Sequence, residues 1–358
     1  MHDAARRAAV DALEEAVAAG RTPGGVLAAG WGPDLELLAA AGRADTGPSE
    51  RLTTTTTLFD LASLTKVVVT LPIILALAAD CKVSLETPVV EVLPEFAAPG
   101  PGGSSVPPGL AQDRPKVRLR HLLTHSSGLP AQRRYWQLGL AADELLYRLV
   151  SEPLEDRPGV AVRYSDIGFV VLGLVAEAVG GHRLDRLFSE VVAGPLGLTS
   201  SGYGPRSEPD VAATERGEQG LARVGTVHDE TAAALGFPVG HAGLFAPASD
   251  LAAYLGAWTA PQEGWIPAKL RAEATRDQTA GLGGHRGYGW VTRHDAHDQL
   301  GEAWPETGIF HSGFTGTSLA FDPASTRWVV LLTNDVHFGR DRGQINPLRR
   351  AVHTALAP

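Results

Sequence analysis

A serine and a lysine three residues apart lie inside an otherwise apolar segment, and this pair constrains the chain more than any other feature. The run Leu58-Phe59-Asp60-Leu61-Ala62 precedes Ser63-Leu64-Thr65-Lys66, and Val67-Val68-Val69 follows it. Residues three apart on a helix share a face, so the Ser63 hydroxyl and the Lys66 amine are expected to meet. A desolvated lysine loses proton affinity and can accept a serine proton, a role that arginine cannot take. The alternative is a helix N-terminus capped by Ser63, with Lys66 reaching to solvent.

The composition predicts a globular protein with a substantial core. The 358 residues carry a formal net charge of −9, with 44% hydrophobic and 20% charged residues. This length gives room for one large or two medium domains. The acidic balance argues against nucleic acid and anionic membranes as partners, and the short arginine pairs Arg133-Arg134 and Arg349-Arg350 are interpreted as solvated faces. No apolar stretch of membrane-spanning length lacks polar interruption, and the N-terminus lacks the hydrophobic core of a signal peptide. A cytoplasmic location is expected, although removal of an export signal would leave the same sequence.

Neither a metal nor a cofactor is expected. The single cysteine, Cys81, rules out an intramolecular disulfide and a cysteine-based structural zinc site. It follows an apolar run, which predicts a buried and inert thiol. His121 and His125 have the spacing of a metal pair, but the sequence between them lacks a catalytic glutamate and offers no third ligand. The sequence contains no Walker loop and no complete Gly-x-Gly-x-x-Gly.

A tyrosine precedes an apolar helical pattern in the middle of the chain. In Tyr164-Ser165-Asp166, either Ser165 or Asp166 can cap the following helix, and Tyr164 can simply be a packing aromatic. In the catalytic interpretation, the Tyr164 hydroxyl lies beside Ser63 and Lys66. It then carries a proton between the nucleophile and the leaving group.

A third motif, His311-Ser312-Gly313, ends one apolar strand, and Phe314 begins the passage to the next. A hairpin turn explains this pattern without any function. Alternatively, the strand edge lies beside the nucleophile, where glycine lets a substrate approach the backbone. Amides at this edge then supply half of an oxyanion hole. The nearby Gly316-Thr317-Ser318-Leu319-Ala320 resembles a nucleophile elbow of α/β-hydrolases, but a strand continues past Ser318 where an elbow turns into a helix.

Hydrophobic periodicity predicts an antiparallel sheet built from both chain ends, with helices around it. Helices are predicted over 4–19, 118–125, 142–151, 166–180, 249–258 and 346–356. Strands are predicted over 26–31, 36–40, 287–293, 309–311, 317–322 and 327–334, the last three as antiparallel neighbours. Pro72 is expected to kink the helix that carries the serine and lysine, and the Pro/Gly-rich stretch 99–115 is interpreted as an exposed loop.

In order and rough spacing, the three motifs resemble those of the serine β-lactamase and penicillin-binding-protein superfamily. The similarity is greatest to the branch of class C β-lactamases, D-alanyl-D-alanine carboxypeptidases and esterases, and it covers nearly the whole chain. The resemblance implies an α+β (α/β sandwich) fold of the β-lactamase/transpeptidase-like type, an antiparallel sheet flanked by helices. An α/β sheet domain of residues 1–90 and 230–358 would carry an inserted, mostly helical domain of residues 91–229.

The resemblance also implies chemical roles. Ser63 would form an acyl-enzyme, while Lys66 and Tyr164 would move its proton. The oxyanion would be held by the amides of Ser63 and Phe314. The residues implied for binding the substrate or the oxyanion are Asp166, His311, Ser312, Gly313 and Phe314.

Two positions depart from the family pattern. Asp166 stands where the family usually has asparagine. A carboxylate there would hold Lys66 protonated, shift the base role towards Tyr164 and repel an acidic substrate. His311 stands where β-lactamases that accept carboxylated lactams often carry lysine, and a neutral imidazole binds that carboxylate less well. The resemblance is therefore closer to esterase, aminopeptidase and carboxypeptidase relatives than to a dedicated β-lactamase.

The first functional hypothesis is a carboxylesterase-like serine hydrolase that acts on a small-molecule ester or amide. The second is an acyltransferase of a biosynthetic pathway on the same fold, because the motifs do not decide whether water or another nucleophile receives the acyl group. A D-amino-acid peptidase or carboxypeptidase and a non-catalytic binding relative also stay open. His228, Asp229 and His241 lie in a loop-rich stretch and are expected to border the cleft.

Overall fold

The computed structural model describes residues 2–47, 50–97, 110–217, 221–260, 265–340 and 345–358. The α-helices are α1 Asp3–Ala18, α2 Leu71–Ala79, α3 Val89–Val92, α4 Leu119–Leu123, α5 Ala142–Val150, α6 Asp166–Gly180, α7 Leu184–Phe188, α8 Gly194–Leu196, α9 Glu230–Leu235, α10 Ala248–Thr259, α11 Ala268–Thr275 and α12 Ile345–Ala355. The strands are β1 Gly24–Trp31, β2 Asp34–Asp45, β3 Arg51–Leu52, β4 Phe59–Asp60, β5 Gly202–Tyr203, β6 Ala213–Arg216, β7 Ala222–Val224, β8 Leu244–Ala246, β9 Val291–Thr292, β10 Ile309–Ser312, β11 Ser318–Phe321 and β12 Arg327–Thr333. The 3₁₀ helices are Ala62–Leu64, Pro94–Ala97, Ala111–Lys116, Tyr135–Leu138 and Asp335–Phe338, and the π-helical turns are Lys66–Thr70 and Ser189–Ala193.

One antiparallel sheet unites the two ends of the chain. Its seven strands follow the order β3-β2-β1-β12-β11-β10-β9. The N-terminal β1 pairs with the C-terminal β12 along its whole length, from Gly25 opposite Thr333 to Trp31 opposite Arg327. Strands β10, β11 and β12 are antiparallel neighbours, as predicted. The third motif, at the end of β10, is thereby placed inside the sheet.

Both faces of this sheet are covered by helices. In β1, Leu27 and Ala29 belong to the core cluster that contains residues of α1 and α12. The alternate residues Val26 and Ala28 belong to the larger cluster that contains α2, α6 and α10. Side chains of a strand alternate between faces, so an uninterrupted apolar strand needs cover on both sides. The predicted antiparallel sheet flanked by helices is confirmed.

The serine and lysine lie at the start of the most apolar helical segment of the fold. Ala62–Ala79 is long and apolar enough to cross a membrane by length and composition, but 78% of it is buried inside the protein. It therefore serves as a core element here. It is not one regular helix with a kink, because a 3₁₀ turn and a π-helical turn precede α2, and Pro72 occupies the first turn of α2. Proline is tolerated there because that amide needs no partner within the helix.

Three local predictions differ from the structure. The strand predicted over 287–293 is reduced to Val291–Thr292, because Gly289 adopts a left-handed turn with φ of 71°. Cys81 is exposed instead of buried, since it follows the end of α2. Most of the loop predicted over 99–115 lies outside the described residues, and its end forms the 3₁₀ helix Ala111–Lys116. The division into a sheet domain and an inserted helical domain stays a prediction.

Candidate active site

The Ser63 hydroxyl and the Lys66 amine are in contact, with 3.0 Å between Oγ and Nζ. The predicted pairing across one turn is therefore present, although the turn is 3₁₀ and then π-helical. Lys66 is completely buried, so it does not reach to solvent as the alternative interpretation required. A buried ammonium group needs partners, and those partners define the site.

The backbone just before Ser63 is strained and held from outside the helix. Ala62 has φ of 46°, a left-handed conformation that costs a non-glycine residue on the order of 1 kcal/mol. The buried Asp60 carboxylate accepts the Ala62 amide at 2.8 Å and the His228 amide at 2.8 Å. Asp60 thus ties the nucleophile turn to a distant loop. The sequence analysis missed it, although an aspartate in an apolar run was a signal that it has a task.

Polar groups surround the buried Lys66 amine. Its Nζ lies 2.7 Å from Asp166 Oδ1 and 3.1 Å from the main-chain carbonyl of His241, besides Ser63. Burial by itself lowers the pKa of Lys66, but the Asp166 carboxylate and Tyr164 outweigh it and hold that pKa above its ordinary value. The amine is therefore a cation at neutral pH. The predicted charge pairing between Asp166 and Lys66 is present in the structure.

Tyr164 completes the group around the nucleophile. The Lys66 amine lies 5.0 Å from the centre of the Tyr164 ring, and the Tyr164 hydroxyl interacts with the side chains of Ser63 and Lys66. Burial raises the pKa of Tyr164, the Lys66 charge lowers it, and the Asp166 carboxylate raises it again, so that the net direction is upward. Lys66 thus favours the phenolate and Asp166 opposes it.

The Tyr164 ring is held from behind by a histidine. The ring of His125 lies 4.5 Å from that of Tyr164, and His125 Nδ1 accepts the amide of Ser165 at 3.0 Å. The Ser165 side chain caps α6 by accepting the Gly168 amide at 3.0 Å. The predicted helix cap is therefore present and is compatible with the catalytic interpretation of Tyr164, which stays a prediction.

The third motif, at the end of β10, also lies beside Ser63. His311 is buried at the end of β10, and burial, with the Lys66 and Arg286 charges, holds the pKa of His311 well below its usual range. Its imidazole is therefore neutral. Gly313 is required by packing, since a Cβ there would lie 2.3 Å from the Leu61 carbonyl oxygen. The glycine therefore admits the backbone that leads to the nucleophile, where the sequence analysis expected it to admit substrate.

Two cavities of about 290 and 300 Å³ flank Ser63. Ser63, Tyr164 and Phe314 line both of them. The first, the polar cavity, is also lined by Arg286, Val291, His297, Gln299, His311, Ser312, Gly313, Asn346 and Arg349. The second, the acidic cavity, is also lined by Ala62, Ala131, Gln132, Asp166, His228, Asp229, Glu230, Ala242 and Arg340. All the predicted site residues except the buried Lys66 thus line at least one cavity, and their chemical roles stay predictions.

Phe314 stands between these cavities, and 42% of it is exposed. The His228 ring stacks on it at 5.7 Å, and the Arg340 guanidinium lies 5.9 Å from its centroid. Glu215 joins the two flanking groups, at 3.2 Å from His228 and 2.8 Å from Arg340. This network holds the residue whose amide is expected in the oxyanion hole.

Of the three loop residues predicted to border the cleft, two line a cavity and the third is buried. His228 and Asp229 line the acidic cavity. His241 is buried, and its Nε2 lies 2.9 Å from Asp229 Oδ1. Burial raises the pKa of Asp229, but His241 and the Ala232 amide outweigh it and hold that pKa well below its usual range. His241 acts on the site through its main-chain carbonyl, which accepts from Lys66.

Two arginines of the polar cavity were missed by the sequence analysis. Arg286 is buried and paired with Asp295, with 3.0 Å between Nη2 and Oδ1. Arg349 was interpreted as part of a solvated face, but it is buried and donates to the carbonyls of Gly313 at 3.0 Å and Thr317 at 2.9 Å. Its place on the inner side of the amphipathic helix α12 was the available signal.

The rival sites receive no support from the structure. His121 Nδ1 accepts the Arg118 amide at 3.1 Å, so its ring serves a helix terminus. Within the described ranges, no group of three or more His, Cys, Asp or Glu side chains is placed to hold a metal ion. Ser318 is completely buried at the start of β11 and cannot serve as an exposed nucleophile.

Comparison with known proteins places this geometry among related chains. The model of a family described as Beta-lactamase matches residues 9–354. A putative D-alanyl-D-alanine carboxypeptidase of Escherichia coli (strain K12) is 30% identical over 326 residues, which cover 82% of this chain and 73% of that protein. The solved structure of EstCE1, described as a hydrolase with promiscuous acyltransferase activity, is 25% identical, with a TM-score of 0.77 and coverage of 97% and 98% of the two chains. Simvastatin synthase (LovD) from Aspergillus terreus has the same fold at 18% identity, with a TM-score of 0.76 and coverage of 97% and 96%.

Proposed function

The chain belongs to the beta-lactamase family, and on that premise we propose that it hydrolyses a small carboxylic ester through an acyl-enzyme on Ser63. The predicted superfamily, its fold and an enzyme of the serine hydrolase and acyltransferase class are confirmed by the family match and the relatives. The observation that carries the finer proposal is the contact of Ser63 with Lys66 at 3.0 Å, beside the Tyr164 hydroxyl and open to two cavities.

Proton transfer follows from the charges around Ser63. Lys66 is held as a cation by Asp166, so the proton acceptor is the Tyr164 oxygen, whose ionised form Lys66 stabilises. Ser63 Oγ attacks the ester carbonyl as its proton passes to Tyr164. The bond between the carbonyl carbon and the alcohol oxygen then breaks, and the proton leaves with the alcohol. A water molecule then attacks the acyl carbonyl as its proton passes to Tyr164. The bond between the carbonyl carbon and Ser63 Oγ breaks, Ser63 takes the proton, and the carboxylic acid leaves.

The oxyanion of each tetrahedral intermediate needs donors that are already in place. We assign this role to the amides of Ser63 and Phe314, which belong to segments packed against each other through Gly313 and Leu61. The strained Ala62 and the aromatic stacking on Phe314 fix the two segments. Such preorganised donors are commonly worth about 3 to 4 kcal/mol of transition-state stabilisation each.

The charge states of two residues favour an ester over a carboxylated lactam. His311 is neutral where a cation would be needed for a substrate carboxylate. The Asp166 carboxylate lines the acidic cavity and repels a second anion there. These features support the carboxylesterase-like activity over a dedicated β-lactamase activity.

Acyl transfer to an alcohol or amine is the second candidate. It is favoured by the separate polar cavity beside Ser63, which has room for an acceptor while the acyl group stays on the other side. The similarity to EstCE1, whose description names both activities, supports the same alternative. A peptidase acting on D-amino acids is a third candidate, supported by the description of the 30% identical relative.

The test is intact-protein mass spectrometry with p-nitrophenyl acetate and with a penicillin, for the wild type and for Ser63→Ala, together with colorimetric turnover. The expected result is an acetyl adduct and turnover in the wild type, both lost in Ser63→Ala. Acceleration by an added alcohol with formation of the acylated product supports the transferase. Turnover in Ser63→Ala equal to that of the wild type would refute the mechanism.

A further inference from the structure

A third cavity, of about 320 Å³, adjoins the acidic cavity and differs from it in chemistry. Its walls are mostly hydrocarbon, contributed by Tyr203, Pro205, Val227 and Phe237 among others. The Tyr203 hydroxyl is already used, because it donates to the Val239 carbonyl at 3.0 Å. We call it the apolar cavity. A ligand there can bury apolar surface but finds few groups with which to form hydrogen bonds.

The apolar cavity and the Ser63 site share a wall. Ala242 lines both the acidic and the apolar cavity. The flanking main chain is fixed on each side, since the His241 carbonyl accepts from Lys66 at 3.1 Å and the Gly243 carbonyl accepts from the Gly204 amide at 3.0 Å. Ala242 contributes only a methyl group to this shared wall, and the neighbouring Gly243 contributes no side chain.

Helix α9 forms a second connection between the two cavities. Asp229, which caps the helix, and Glu230 line the acidic cavity, whereas Ala232 and Ala233 line the apolar one. The wall changes from carboxylate to methyl within one turn. A ligand that follows this wall is therefore polar near Ser63 and apolar beyond it.

The residues of the polar cavity indicate which half of the ester lies in the apolar cavity. The polar cavity contains Arg286, His297 and Gln299, which suit an entering water and a departing alcohol. The acyl group must stay bound to Ser63 while these exchange, so it belongs on the side of Ala242. We propose that the apolar cavity is an acyl-chain site, and that the substrates are esters with an apolar acyl chain long enough to pass Ala242. This inference rests on the proposed function.

The test compares p-nitrophenyl esters from acetate to decanoate, below their micelle concentrations. For the wild type, kcat/KM is expected to rise about threefold to fourfold for each methylene buried in the cavity, and then to level off. Ala233→Trp places a large side chain at the cavity rim from an exposed helix position. The matched control is Ala234→Trp, the next exposed residue of α9, which does not line the cavity.

The expected result is a fall of about tenfold or more in the ratio of octanoate to acetate kcat/KM in Ala233→Trp, and an unchanged ratio in Ala234→Trp. Binding of the neutral octanamide to Ser63→Ala, measured by calorimetry, provides a readout without turnover and is expected to weaken when Ala233→Trp is added. A flat chain-length profile, or equal ratios in both tryptophan variants, overturns the acyl-chain site while Ser63-dependent acetate turnover preserves the proposed function. Absence of a Ser63 adduct with every ester overturns both.

Discussion

Replacing Asp166 by asparagine tests how this enzyme controls its base. Asp166 Oδ1 lies 2.7 Å from Lys66 Nζ, and Asp166 raises the pKa of both Lys66 and Tyr164. The proposed base, Tyr164, reacts in its deprotonated form, which is present above its pKa. Asp166→Asn lowers both pKa values, so the acidic limb of the pH–rate profile is expected to move to lower pH.

The size of this change follows from the ion pair. Two unit charges about 4 Å apart interact with about 4 kcal/mol at an effective dielectric constant of about 20. That energy corresponds to a pKa change of about 3. A quarter of the Asp166 side chain is exposed, and solvent screens the pair. We therefore expect the acidic limb to move by about one to two pH units, and kcat/KM at neutral pH to rise about tenfold or more.

The assay is log(kcat/KM) for p-nitrophenyl acetate against pH, measured for the wild type and for Asp166→Asn at constant ionic strength. Glu230→Gln is the matched control, because Glu230 lines the same cavity but pairs with Arg340. Its acidic limb is expected to stay in place. An acidic limb at the same pH in Asp166→Asn and in the wild type would refute the claim that Asp166 sets the protonation of the site.

Two further substitutions test the proton acceptor and the buried ion pair beside the polar cavity. Tyr164→Phe is expected to lower kcat/KM about 10²- to 10⁴-fold without changing the melting temperature much, and a loss below about fivefold would assign the base elsewhere. Arg286→Met leaves the buried Asp295 carboxylate without its arginine and is expected to cost about 3 to 5 kcal/mol of unfolding free energy, measured by urea titration at pH 7. Adding Asp295→Asn is expected to restore part of that loss, and an equal loss in the double variant would contradict the ion-pair explanation.

The sequence predicted which residues of the site meet better than it predicted the local backbone geometry. Ser63 and Lys66 meet as their spacing indicated, yet through a 3₁₀ and a π-helical turn. Spacing alone specifies which residues face one another, and several helical geometries satisfy it. The packing of Asp60 against the Ala62 and His228 amides selected the strained one, and that contact joins residues far apart in sequence.

The burial of individual side chains was the least predictable property. Arg349 was expected at the surface and Cys81 in the core, and both expectations were wrong. Burial at the end of a helix depends on what packs against it, and local composition does not contain that information. Arg349 is buried because the carbonyls of Gly313 and Thr317 satisfy its guanidinium at the point where α12 crosses the sheet.

What the sequence by itself determined is the family, the order of the elements and the residues proposed to react, because apolar periodicity and short motifs are local properties. What only the tertiary structure decided is how closely the charged groups approach one another and how deeply they are buried. The distance between Lys66 and Asp166, the neutral state of His311 and the contact between the acidic and the apolar cavity at Ala242 all join segments that are distant in the chain. Electrostatic energies and cavity shapes depend on distance and dielectric surroundings, and these exist only after the chain has folded.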